Sequence, residues 1–391
     1  MSFPRESLKK KTNSYFPAID GLRLLASINI VLLHLSSSNA LEYTKGWTIV
    51  SPIINAPAFA AGLFFVLAGF LFGSKFSDPD RRVPVMPFIF TRIVKLYRLH
   101  FLMTFLMFFV LVFKLSGAAE IPTSWEALSS CVSAGLANMA NPFRSLILHL
   151  TLLWSFVPDL GMKLNEPSWA LSAFFVCYAI TPLFSRWLFK QSQKTLWILF
   201  GIVFIPGIIW GVLFGLSGDL WFADYGAKYR FFHMFAPVRV CEYLFGMVLF
   251  RLYQNGAFSA LKAKWASGFS QVILLGILYL SLLFLGTSFA SWNYIGHHSL
   301  PILIYGLLVI TLTSERGLLT RFFCIKPIRA IGRASFYPYL IHLPLISIAW
   351  GFCNLNTPKN TILFLVFIYA VSTFYMEWKM HLKRRKKNHF F

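Results

Sequence analysis

Two ionisable side chains interrupt the first apolar stretch of the chain, Ile19-Asp-Gly-Leu-Arg-Leu-Leu-Ala-Ser-Ile-Asn-Ile-Val-Leu-Leu-His34. Arg23 lies near its start and His34 closes it. An ionisable group in so apolar a segment is costly, and is a functional hypothesis by default. His34 follows Arg23 by eleven residues. Eleven steps of about 100° end roughly 20° past three full turns, so both side chains fall on one helix face, about 16 Å apart along the axis. Imidazole titrates near neutral pH and suits a general base that takes a proton from a hydroxyl. A fixed guanidinium suits orienting an anionic ligand or steadying charge that develops on a carbonyl oxygen. The plainer readings are a packed, hydrogen-bonded histidine near the outer interface, and an arginine that snorkels to the headgroups or is neutralised by Asp20 one turn earlier.

Other groups of this kind follow. Thr91-Arg-Ile-Val-Lys-Leu-Tyr-Arg-Leu-His100 repeats a cation every third residue, at Arg92, Lys95 and Arg98, with Arg81 and Arg82 upstream. Such a cluster could hold a phosphate-rich ligand, although basic runs more often only orient a membrane helix. Arg239 and Glu242 stand one turn apart inside another apolar stretch. A structural ion pair is the default there and substrate contact the sharper alternative. His342, in Ser335-Phe-Tyr-Pro-Tyr-Leu-Ile-His342-Leu-Pro344, is a further intramembrane imidazole, on a helix that Pro338 and Pro344 should loosen. Gly69 and Gly73 each fall within about 20° of Gly62 around a helix, and the three serve either close packing or the smooth wall of a channel. The five cysteines are scattered and form no C-x-x-C, so neither a metal site nor a disulfide framework is expected. There is no H-E-x-x-H, G-x-S-x-G or P-loop, which argues against metalloprotease, hydrolase-fold and ATPase chemistry.

The elements that must position these groups are set by composition. Of 391 residues, 57% are hydrophobic and 13% charged, and the mean hydropathy is +0.64. A soluble domain carries about 25% charge. The apolar residues fall in blocks of about 17 to 22, the length of a membrane-spanning helix. The expected fold is therefore an all-α polytopic membrane protein, a single domain over residues 1–391. Ten spans are expected, near 17–36, 57–75, 96–116, 168–188, 195–215, 232–252, 270–288, 299–314, 334–353 and 360–379.

The net charge of +22 fits cations gathered on cytoplasmic loops better than nucleic-acid binding. Alternate loops agree: one set carries Arg81 to Lys95, Arg186 to Lys194, Arg251 to Lys264 and Arg316 to Arg333, the other Glu42, Glu120, Glu126, Asp159, Glu166, Asp219 and Asp224. Both termini are then cytoplasmic, with a retained basic N-terminal tail and a basic tail at about 380–391. The longest outer loop, about 117–167, contains an apolar segment, Ser145 to Val157, too short to span and expected to lie in the interface or re-enter it. A loop of that length is often a lid or binding surface. No internal repeat is visible, which gives no support to an inverted-repeat transporter.

In this order the motifs resemble the integral-membrane acyltransferase family 3, over essentially the whole chain. Asp20-Gly-Leu-Arg23 followed by His34 is similar to the family's opening signature. Phe64-Phe-Val-Leu-Ala-Gly-Phe70 resembles its second-helix motif and Arg92 to His100 its basic third-helix entry. Pro167-Ser-Trp169-Ala-Leu-Ser172 resembles its Trp-Ser-Leu-Ser motif, and Arg239 to Gly246 and Gly332 to His342 its two late motifs. The chain departs from the pattern at Ala68, where the family has serine, at Arg98 and His100, and at Phe174, where an acidic residue is usual.

The resemblance implies ten core spans and transfer of an acyl group, usually acetyl, from cytoplasmic acyl-CoA to a hydroxyl on a glycan, lipid-linked saccharide or small molecule. It implies His34 as catalytic histidine with Arg23 as its essential arginine, and Arg92 and Lys95, with Arg98 and Arg82 beside them, facing the CoA phosphates. Trp169, Ser172, Arg239, Glu242, Tyr339 and His342 are its remaining substrate-contact or structural positions. Acetyl-CoA enters as donor substrate, with no bound cofactor. The expected partners are acyl-CoA, the hydroxyl acceptor and membrane lipids, and a homodimer is compatible with them. The expected location is a plasma membrane, in bacteria the inner one. The alternative is a transporter or flippase of an anionic or acylated solute, which would move substrate without consuming acyl-CoA.

Overall fold

A computed structural model describes residues 15–44, 51–54, 57–77, 83–118, 120, 122–157, 164–217, 225–259, 270–284, 295, 299–314 and 317–388. No strand occurs among them. In chain order the helices are α1 (Pro17–Ser37), α2 (Pro57–Lys75), α3 (Val85–Leu115), α4 (Trp125–Ala137), α5 (Pro142–Leu150), α6 (Trp169–Leu188), α7 (Gln193–Leu216), α8 (Tyr225–Met234), α9 (Ala236–Gln254), α10 (Ser270–Phe284), α11 (Leu300–Leu312), α12 (Leu318–Phe323), α13 (Lys326–Ala334), α14 (Phe336–Ala349) and α15 (Pro358–Asn388). Each of the ten expected segments overlaps one of them, α1, α2, α3, α6, α7, α9, α10, α11, α14 and α15.

By length and composition, α1, α3, α6, α7 and α15 are able to cross a membrane, and α2, α10, α11 and α14 are shorter apolar helices. α9 has the length of α2 but carries Arg239, Glu242 and Arg251. The molecule is an all-α integral membrane protein. α7 makes the point most directly: its most apolar window has a mean hydropathy of 2.4, yet only 17% of that window is buried. Ile198, Ile202, Ile205 and Ile209 are exposed on it, as a lipid-facing helix requires.

The core gathers on α2 and α9, the most extensively packed helix pair. Their backbones touch through glycine. A Cβ on Gly69 would meet the Tyr243 carbonyl oxygen at 1.9 Å, and one on Gly246 the Val66 carbonyl oxygen at 2.2 Å. Small residues allow such approach where hydrophobic burial no longer distinguishes protein from lipid. Gly73 likewise meets Phe250, whereas Gly62 has ordinary contact room, 3.5 Å from Glu242 Oε2 and from the Tyr305 ring.

α1 is held from the other side. The Ser27 hydroxyl donates to the Ser335 carbonyl at 3.1 Å and bonds the Tyr369 hydroxyl at 2.8 Å, tying α1 to α14 and α15. Gly21 leaves room for the Phe323 ring, and Gly332 lets α13 approach the Asp20 carbonyl.

Two boundaries differ from expectation. α3 starts at Val85 rather than near 96. The residues from Val85 to Phe90 are mostly apolar, and Pro87 sits in the first turn, where its missing N–H leaves no bond broken. Arg92, Lys95 and Arg98 are therefore inside a helix of 31 residues and not at its entry. α15 continues to Asn388 rather than stopping near 379. Its basic extension is rich in good helix formers, and Glu377 pairs with Arg333 of α13 at 2.6 Å.

The described residues of the segment expected as the outer loop fold as α4, α5 and two short 3₁₀ turns, and the apolar stretch Ser145 to Val157, expected as one short helix, is divided between the end of α5 and the turn Trp154–Phe156. The segment is docked on α3. Tyr97 donates to the Leu150 carbonyl at 2.9 Å, and the His100 ring bonds the His149 carbonyl at 2.9 Å. The His149 ring stacks on Trp154, 4.6 Å between centroids. Burial lowers its pKa to about 4, so it is neutral at physiological pH.

Candidate active site

Two cavities open around α1, one at the Arg23 end and one at the His34 end. The larger holds about 470 Å³. Five cations line it: Arg23 from α1, Arg92 and Lys95 from α3, Arg333 from α13 and Lys379 from α15. No carboxylate is among its described lining residues. The cations are nonetheless fixed by neighbours. Asp20 stands 3.8 Å from Arg23 and accepts the Tyr15 hydroxyl at 2.5 Å. The Arg92 guanidinium lies 5.2 Å over the Phe72 ring and 5.5 Å over Phe88. Arg333 holds Glu377; burial, the largest single effect, lowers the pKa of its guanidinium, and the hydrogen bonds to Glu377 and Tyr15 with their charges together outweigh it and raise it.

Away from these charges the walls are apolar. Phe174 stacks on Phe65 at 4.5 Å and on Tyr178 at 5.8 Å. Ala68 and Phe174, the two positions where a polar group was expected from the resemblance, both line this cavity. The chamber thus combines a cationic set with an apolar pocket. That pairing can hold a phosphate-bearing head and a neutral arm together.

The smaller cavity holds about 190 Å³ and is lined by His34, Glu166, Trp169, Arg230 and His233 among others. Ala61 and Tyr339 line both cavities. The common face of Arg23 and His34 is therefore shared between two chambers that meet at one tyrosine and one alanine. The Tyr339 hydroxyl donates to the Pro167 carbonyl at 2.5 Å, which fixes this partition to the segment before α6.

The walls around His34 are set by buried polar contacts. Pro344 has no N–H for the carbonyl of Leu340, four residues earlier. Asn165 Nδ2 supplies the donor instead, at 3.0 Å. This lets α14 keep its course past the cavity, with His342 buried on it. Arg239 and Glu242 form the expected ion pair, 0% and 3% exposed. The same arginine donates from Nε to the His233 carbonyl at 2.7 Å, and its guanidinium lies 5.8 Å over the Trp169 ring. Trp169 in turn meets the His233 ring edge-on at 5.1 Å. The buried pair thus buttresses two walls of the His34 cavity without lining it.

Other expected positions fall elsewhere. Arg98 is exposed and lines neither cavity, because it lies about 120° around α3 from Arg92. Ser172 is fully buried and lines neither. Gly62, Gly69 and Gly73 line neither of these two cavities, and Gly69 and Gly73 instead let α2 pack closely on α9. Arg82 lies outside the described residues, as does Arg81. Arg333, which the sequence offers only as a signal of topology, and Lys379 join the larger cavity.

The acyltransferase domain family model matches residues 16–376. A curated relative, the acyltransferase MdmB of Streptomyces mycarofaciens, is 26% identical over 282 residues, covering 66% of this chain. The match spans 64% of that relative's own length. No solved structure matches.

Proposed function

This chain belongs to acyltransferase family 3, and from that membership we propose that it carries an acyl group, in the first instance acetyl, from cytoplasmic acyl-CoA to a hydroxyl of a glycan, lipid-linked saccharide or small molecule across a plasma membrane, with both termini on the cytoplasmic side. The observation that carries the reading is the pair of chambers meeting at Ala61 and Tyr339. The nucleotide end of the donor rests among Arg92, Lys95, Arg333 and Lys379. Its acylated arm runs past the apolar wall of Phe65 and Phe174 toward Tyr339. The acceptor enters beside His34.

In the transfer step His34 takes the proton of the acceptor hydroxyl as its oxygen attacks the thioester carbonyl carbon. The new C–O bond forms, the C–S bond breaks, and the departing thiolate is reprotonated from the imidazolium. Arg23 lies about three turns from His34, roughly 16 Å along the helix. Of its two roles, orienting the donor arm is the one within reach, and the carbonyl oxygen reacting at His34 is beyond it.

Two experiments bear on this reading. Mass spectrometry of surface glycans and lipids from cells with and without the protein should reveal an acyl-sized mass lost with it, acetyl being the first to look for. Unchanged spectra together with protein-dependent solute movement would return the transporter reading. Kinetics test the donor side. Arg92→Ala combined with Lys95→Ala should raise the KM for acetyl-CoA by about 10-fold or more, since each charge-assisted contact to a phosphate is worth on the order of 1.5–3 kcal/mol before solvent screening. Arg98→Ala should leave KM unchanged, and a KM that rises equally in both variants would remove the cavity from the donor site.

A further inference from the structure

The geometry points to His342 as the residue that positions His34, an inference that rests on His34 being the general base. The two imidazole rings stand 5.0 Å apart between centroids, with their planes at 42°. They come from α1 and α14, helices packed against each other. His342 is fully buried and lines neither cavity, so any effect on substrate must pass through a neighbour.

Its own orientation is determined. Nδ1 lies 2.9 Å from the Pro338 carbonyl oxygen. A carbonyl only accepts, so Nδ1 carries the proton, and a neutral ring then presents Nε2 as a lone-pair acceptor. That Nε2 is buried and makes no hydrogen bond in this structure. A buried acceptor left bare is unusual and calls for an explanation. The His34 ring, adjacent in the next helix, bears the N–H that could meet it. When the acceptor is seated, a small rotation of His34 brings its N–H to His342 Nε2. The other His34 nitrogen is then fixed as the lone pair facing the hydroxyl. No proton leaves the pair through His342, which selects the tautomer and holds the ring.

Glutamine and asparagine separate this role from a structural one, because the glutamine amide reaches the Nε2 position and the asparagine amide the Nδ1 position. The assay follows transfer of labelled acetyl from acetyl-CoA by purified protein in lipid nanodiscs, with a membrane extract from cells lacking the protein supplying the acceptor. His342→Gln should keep kcat within about 3-fold of the parent. His342→Asn and His342→Phe should lose about 100-fold in kcat with the KM for acetyl-CoA unchanged, the scale of a misdirected base. Asparagine performing as well as glutamine, or phenylalanine keeping the parent rate, would overturn the inference.

A measurement on the unsubstituted protein covers the case of variants that fail to fold. With 15N-labelled histidine and a non-transferable acetyl-CoA analogue plus the extract, a scalar coupling between nitrogens of the two rings is expected, and its absence overturns the inference. His34→Ala is run alongside. If that variant retains transfer, the base reading itself fails, whereas an inactive His34→Ala beside a tolerant position 342 removes only the role given to His342.

Discussion

His34→Ala should lower acyl transfer by about 10³-fold while the protein inserts, folds and still binds acyl-CoA. The magnitude is that of losing a general base, which contributes on the order of 10²–10⁴ in rate. The fold should survive because the imidazole faces the smaller cavity, while α1 is anchored by neighbours on its other faces. Val31 and Leu35 are fully buried, and Ser27 ties the helix to α14 and α15. Donor binding should survive because the cations that line the larger chamber come from α3, α13 and α15 as well as from Arg23. The check is a pair of measurements on one preparation: label transfer from acetyl-CoA, and equilibrium binding of the same nucleotide. Near-parent transfer would remove His34 from the mechanism. Loss of both transfer and binding would show that the two chambers are not separable in function.

The division of the site into chambers was half legible in the sequence. Apolar block length located the helices that are long and apolar enough to cross a membrane among the described residues, α1, α3, α6, α7 and α15, because lipid imposes one rule on every span. The helical period placed Arg23 and His34 on one face, since eleven residues make just over three turns. What a period cannot show is where a partition falls along that face, because Ala61 and Tyr339 come from other helices. The convergence of Arg333 and Lys379 on Arg92 was hidden for the same reason: a basic residue near a helix end has the same appearance whether it orients the helix or lines a cavity. Arg98 lies outside both described cavities for a reason the spacing already contained. Spacing by three suggested one basic surface, but two such steps carry a side chain about 120° away. Asn165 could have been found by asking which donor satisfies the carbonyl that Pro344 leaves bare.

The Arg239 and Glu242 pair separates stability from activity in a way that the other positions do not. Arg239→Met leaves Glu242 buried without its cation, and breaking a buried pair from one side costs about 3–5 kcal/mol. A large drop in thermal unfolding temperature in detergent is therefore expected, with Glu242→Leu also destabilising because Arg239 keeps its charge. Replacing both, as Arg239→Met with Glu242→Leu, removes the two desolvated charges together. Such replacements are often neutral or stabilising, so the double variant should unfold close to the parent temperature.

Activity should not return with stability. Arg239 also donates to the His233 carbonyl and lies over Trp169, and both residues line the cavity that holds His34. Methionine fills the volume but offers neither the donor nor the cation. A displacement of about 1 Å in walls that seat the acceptor can cost about 10²-fold in rate. The double variant is thus expected to be stable and about 10²-fold slower, with the KM for acetyl-CoA unchanged because the donor chamber is lined by other residues. Full activity in the double variant would reduce the pair to a structural one. An unstable double variant would instead show that the hydrogen bond to His233, and not charge balance, dominates what the pair contributes.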